Sequence, residues 1–150
     1  MSQFKFRMAA LLRIREATRD ERRAALAEAY RVDDVLRRQL EQIAADLDVL
    51  RTLARQAAAP GVVHVDRLIE VQRYDVIARS HQAHVQGQRE TVSAEIERRR
   101  QTLVEADREV RVLEKLRERQ AEQHRQEEDR KETKRLDEVA VQQVLREAVP

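Results

Sequence analysis

The sequence predicts an all-α fold: a long two-helix antiparallel coiled-coil hairpin with an overhanging C-terminal helical arm. Three observations predict it. Charged residues make up 39% and aromatics 3% of the 150 residues, with neither Trp nor Cys, so side chains that fill a compact core are scarce. Ala, Leu, Glu, Arg and Gln dominate, all good helix formers, and apolar positions recur with a helical period that a disordered chain lacks. The only adjacent helix breakers, Pro60 and Gly61, stand in the stretch Ala57-Ala58-Ala59-Pro60-Gly61-Val62. Proline disfavours helix in the residue before it, and glycine accepts the left-handed angles of a tight reversal. One bend between two helices gives a single hairpin over residues 1–150: arm one at 3–58, bend at 59–65, arm two at 66–148.

In arm one, steps of four and three pick out Phe4, Met8, Leu11, Arg15, Thr18, Arg22, Ala25, Ala29, Val32 and Leu36. After a further step of four the pattern resumes as Leu40, Ile43, Leu47, Leu50, Ala54 and Ala57. This is a heptad seam, with a stutter at Leu36–Leu40 that relaxes the left-handed supercoil. At ~1.5 Å per residue the arm spans roughly 80 Å, and a lone helix of that length with one apolar stripe needs a partner.

Arm two is predicted to start with Asp66 as N-cap, its carboxylate accepting an orphan backbone N–H. Its seam reads Ile69, Gln72, Val76, Arg79, Ala83 and Gln86, then improves after Gly87 through Val92, Ile96, Arg99, Leu103, Ala106, Val110 and Leu113. A bend at Pro60-Gly61 sets Leu50 near Val71, Leu36 near Val85 and Phe4 near Arg117. The stutter and Gly87 then share one level, which is either a bend or close approach of the backbones, or a merely tolerated glycine.

Beyond Arg117 the seam stops. From Arg117 to Arg135 charged residues dominate and Ala121 alone is apolar; Leu136, Val139, Val141, Val144 and Leu145 follow. A helix polar all round survives through ion pairs one turn apart, here Glu118 and Glu122 with Arg125 and Glu127 with Lys131. The arm is either a fraying tail or a segment that a partner orders.

Several function classes are excluded or disfavoured. Without cysteine there is no disulfide framework and no thiolate metal site. No apolar run approaches the ~20 residues of a membrane span, and Arg13 and Arg15 interrupt what would be a signal-peptide core. Two glycines cannot build a phosphate-binding loop or a nucleophile elbow. His81 and His84 lie one helical turn apart, but no third donor of suitable type stands beside them, so no metal and no cofactor is expected. The carboxylates lie on solvated faces beside arginines, which leaves no acid–base centre and no catalytic residue. Net charge is only +2, so nucleic acid is not an expected partner.

One charge cluster stands out near the start: Lys5, Arg7, Arg13, Arg15, Arg19, Arg22 and Arg23 against Glu16, Asp20 and Glu21. Such a cluster is either a solvated face whose arginine stems cover a thin core or a contact for an acidic protein partner. Tyr30 and Tyr74 read as seam-edge packing that can also anchor an interface.

The run Phe4-Lys5-Phe6-Arg7-Met8, followed by Leu11-Leu12-Arg13-Ile14-Arg15-Glu16, resembles the start of the flagellar FliJ family. The length, the bend near residue 60 and a charged C-terminal arm with Lys134-Arg135-Leu136-Asp137-Glu138 fit that resemblance. It implies a non-enzymatic central stalk of the flagellar type III export apparatus, cytoplasmic and peripheral at the inner face of the cell membrane. The implied partners are the hexameric export ATPase, the membrane export gate and export chaperones. In that reading Arg13, Arg15, Arg19, Arg22 and Arg23, with the overhanging arm, enter the ATPase ring, and the bend half with Tyr74 faces the gate. The stalk of a virulence secretion system and a generic coiled-coil scaffold are the alternatives.

Overall fold

The computed structural model describes residues 3–148; Met1, Ser2, Val149 and Pro150, which the predicted hairpin includes, lie outside them. Two α-helices pack against each other, α1 over Ala9–Ala57 and α2 over Val65–Glu147, with no strand among the described residues. The predicted all-α antiparallel pair is thus the observed architecture. The chain divides into two compact units, one of Met1–Asp20 with Val104–Pro150 and one of Glu21–Leu103.

The unit of residues 21–103 contains the bend. Ala58 N–H donates to Ala54 O (3.1 Å), and His64 N–H donates to Ala57 O (3.2 Å), which closes the reversal. Gly61 has a φ of 122°, a backbone angle that a side chain disfavours, as the sequence requires of it. α2 then begins one residue earlier than expected. His64, whose carbonyl accepts from Leu68 N–H (3.1 Å), stands at the N-cap in place of Asp66. Asp66 lies inside the first turn, where its charge still meets the positive end of the helix dipole.

Below the bend, Leu36, Ile43, Leu47 and Val85 form a buried cluster, with Leu40, Leu50, Ala78 and Val92 packed against it. Leu36 and Val85 do meet, as the hairpin arithmetic requires. The frame of α2 differs from the expected one, however. Val85 is 1% exposed, whereas Ile69 and Val76 are 48% and 61% exposed. The inward positions of α2 are Leu68, Val71, Asp75, Ala78, Gln82 and Val85, each about one residue before the predicted series, and then Arg89 and the predicted Val92. They run with unbroken three–four spacing into Ile96, Arg99 and Leu103.

In α1 the difference is smaller. Ala29 and Leu36 are buried and Ala25 half-buried as predicted, but Leu26 is also half-buried. Asp33, not Val32 (44% exposed), is the inward position between Ala29 and Leu36. Counted through Asp33, the heptad needs no stutter at Leu36–Leu40. At Gly87 a Cβ would meet open space, so the backbones do not approach closely there.

In the unit of residues 1–20 and 104–150, Leu12, Val110 and Leu113 form the buried cluster, with Phe6 packed against it. Leu12, not Leu11, is the inward residue; Leu11 is 39% exposed. Helix α1 starts at Ala9 and not at residue 3, and residues 3–6 are not helical. An extended chain rises ~3.3 Å per residue against ~1.5 Å in a helix, so four such residues gain roughly 7 Å of reach. Phe4 accordingly meets His124, with ring centroids 5.8 Å apart, two turns beyond Arg117. Past Glu128 every described residue is exposed, and Leu136, Val139, Val141, Val144 and Leu145 lie uncovered as predicted.

Candidate partner-binding surfaces

The seam holds polar layers as well as apolar ones, and these fix how the helices meet. In the unit of residues 21–103, Arg89 donates to both carboxylate oxygens of Asp33, at 2.9 and 3.5 Å. Arg99 donates to the Ala25 carbonyl and to Glu95 (2.7 Å), and Arg98 clamps the same carboxylate at 2.6 and 2.8 Å. The guanidiniums of Arg98, then Arg99, hold Glu95 down to about 2 from its ordinary 4.5. Arg100 donates to the Tyr30 hydroxyl (2.6 Å), which raises the Arg100 pKa further. Every buried side-chain polar atom described has a partner.

The five arginines expected at a partner surface fall into different states. In the first unit, Arg13 is exposed and has no polar partner among the described residues. Arg15 is ion-paired to Glu109 of α2 (2.8 Å), and Arg19, with its side chain 20% exposed, pairs with Asp20 (3.3 Å). In the second unit, Arg22 is exposed and unpaired among the described residues, while Arg23 is engaged. A seam arginine is therefore tolerated in the way the sequence allowed, by a carboxylate partner or by leaving its head in water.

Tyr74 is 63% exposed in the second unit. It borders a 520 Å³ groove with Leu50, Leu53, His64, Arg67 and Val71 and a 330 Å³ groove with Val49, Ile77, Ala78 and His81. A third hollow of 500 Å³ lies over Ile69, Val76 and Ile77 on α2. This apolar neighbourhood was missed in the sequence, because Ile69 and Val76 were read as seam; the correct frame turns them outward. Tyrosine amid exposed valine, leucine and isoleucine has the makeup of an interface anchor.

His81 and His84 are both exposed, and among the described residues no group of three His, Asp or Glu is placed to hold a metal. In the C-terminal arm Arg125 pairs with Glu122 (2.6 Å) as predicted, whereas Lys131 pairs with Glu128 (3.0 Å), one residue from the predicted Glu127. No described helix is long and apolar enough to cross a membrane.

No curated protein and no solved structure matches the chain. The family model described as flagellar FliJ protein, by contrast, matches residues 4–148, nearly the whole length and both helices. The chain therefore belongs to the flagellar FliJ family, whose members are stalk components of the flagellar export apparatus.

Proposed function

We propose that the chain is a non-enzymatic central stalk that binds the hexameric flagellar export ATPase ring and couples it to the membrane export gate, with a part in escorting export chaperones. The observation that carries this is the family match over residues 4–148 on an antiparallel helix pair. In this reading the protein works in the cytoplasm, at the inner face of the cell membrane. The ring contact lies at Arg13, Arg15, Arg19, Arg22 and Arg23 together with the uncovered C-terminal arm, and the gate contact lies at Tyr74.

A ring of equivalent subunits cannot make the same contact everywhere with one asymmetric partner. Contacts that differ between subunits shift their nucleotide-state populations, which is how a stalk without catalytic residues changes turnover. Arg13 and Arg22 have no polar partner among the described residues and are the first candidates for ring carboxylates. Arg15 and Arg19 already serve internal pairs.

The test is titration into the cognate hexameric ATPase with hydrolysis as the readout. Stimulation by the intact chain, lost in Arg13→Glu/Arg22→Glu with helical content unchanged, supports the stalk. Absence of stimulation by the intact chain returns the generic scaffold. Tyr74→Ala is expected to weaken capture of the gate protein's soluble domain at least tenfold while leaving stimulation intact.

A further inference from the structure

The N-terminal residues form no helix, yet their side chains alternate. Phe4 and Phe6 are half-buried, while Gln3, Lys5 and Arg7 are exposed. That is the period of an extended strand, in which residues two apart share a face. Both aromatic side chains fall on α2: Phe6 against the cluster of Val110 and Leu113, and Phe4 against His124. Leu12 of α1 shares the cluster of Val110 and Leu113, and helix α1 begins only at Ala9.

Half-buried side chains follow on α2 at Leu116, Gln120, Ala121 and His124, which continue its inward face past Leu113. The backbone of residues 3–5 makes no backbone hydrogen bond among the described residues, and the first is Ala9 N–H to Phe6 O (3.2 Å). Among the described residues the contacts of the segment with α2 are thus those of its two aromatic side chains.

We propose that Gln3–Arg7 is a detachable clasp on α2, with Phe4 and Phe6 as its two anchors. It keeps the segment from Val110 to His124 helical and its apolar positions covered until it is released. The attachment is local and shallow: two partly exposed rings, with no main-chain ladder behind them. Opening it leaves the cluster of residues 21–103 untouched and uncovers the face of α2 at Leu116, while Leu12 still packs on Val110 and Leu113.

Hydrogen–deuterium exchange on the full chain tests this. In Phe4→Ser/Phe6→Ser the amides of residues 114–126 are expected to exchange at least tenfold faster, while those of 36–50 and 78–92 keep their rates. Ile14→Ser, at a side chain 61% exposed, serves as control and leaves both regions unchanged. Superimposable exchange over 114–126 in the double variant overturns the clasp. Equal acceleration in all regions overturns it too, because the phenylalanines would then support general stability.

Discussion

Asp33 of α1 and Arg89 of α2 meet side by side across the helix pair, their side chains 25% and 37% exposed. A polar pair at inward positions disfavours other registers, since slipping either helix leaves a charge facing apolar neighbours. Asp33→Ala is expected to lower stability by ~0.5–1 kcal/mol, a value kept small because Arg89 is partly in water. A double-mutant cycle with Arg89→Ala, read by urea unfolding, checks it: the double variant loses less than the sum of the single ones.

The frame of α2 separates two neighbouring valines sharply. Val85→Ala empties space in the main cluster and is expected to cost ~1.5–2.5 kcal/mol. Val76→Ala, at a side chain 61% exposed, is expected to stay within ~0.5 kcal/mol of the parent. Thermal unfolding of the two variants distinguishes this frame from the one beginning at Ile69; reversed sensitivities would refute it.

The two glycines should respond oppositely to alanine. Gly87 lies inside α2 with open space where a Cβ would stand, so Gly87→Ala is expected to stabilise by ~0.5–1 kcal/mol. Gly61 sits at φ 122°, so Gly61→Ala strains the bend and is expected to destabilise by ~1 kcal/mol or more. Urea midpoints of the two variants give both signs directly.

Acid sensitivity should be traceable to Glu95. Its pKa is held at about 2 in the folded chain, below the ordinary 4.5. A depressed pKa contributes stability in full above pH ~4.5 and loses it as pH falls through the folded value. Asp34, lowered chiefly by its hydrogen bond to Arg37, acts in the same direction. Denaturation midpoints between pH 5 and 2 should therefore fall less steeply in Glu95→Gln than in the parent, and parallel curves would contradict this assignment.

The sequence by itself determined a helix pair reversed at Pro60-Gly61, the inward series from Leu36 to Ala57 and from Val92 to Leu113, and the uncovered Leu136–Leu145 tail. Each is a local property: breaker residues, helix propensity, or a heptad long enough to have one phase. The opening Phe4-Lys5-Phe6 run also carried the family resemblance, which the match over residues 4–148 established. Tertiary structure alone decided the phase between Leu68 and Val85. There two apolar series one residue apart, Leu68-Val71-Ala78-Val85 and Ile69-Val76, compete within a single helix, and a step of one residue turns a side chain by about 100°. Continuity with Val92 and Ile96 and the facing layer of Leu36, Ile43 and Leu47 selects the first and leaves Ile69, Val76 and Tyr74 outside. The uncoiling of residues 3–6 was likewise a matter of context. Phe4 fits the heptad as well as it fits an alternation of two, so the sequence does not choose between them, and only contact with the Val110–Leu113 cluster and with His124 gives the extended run something to lie on.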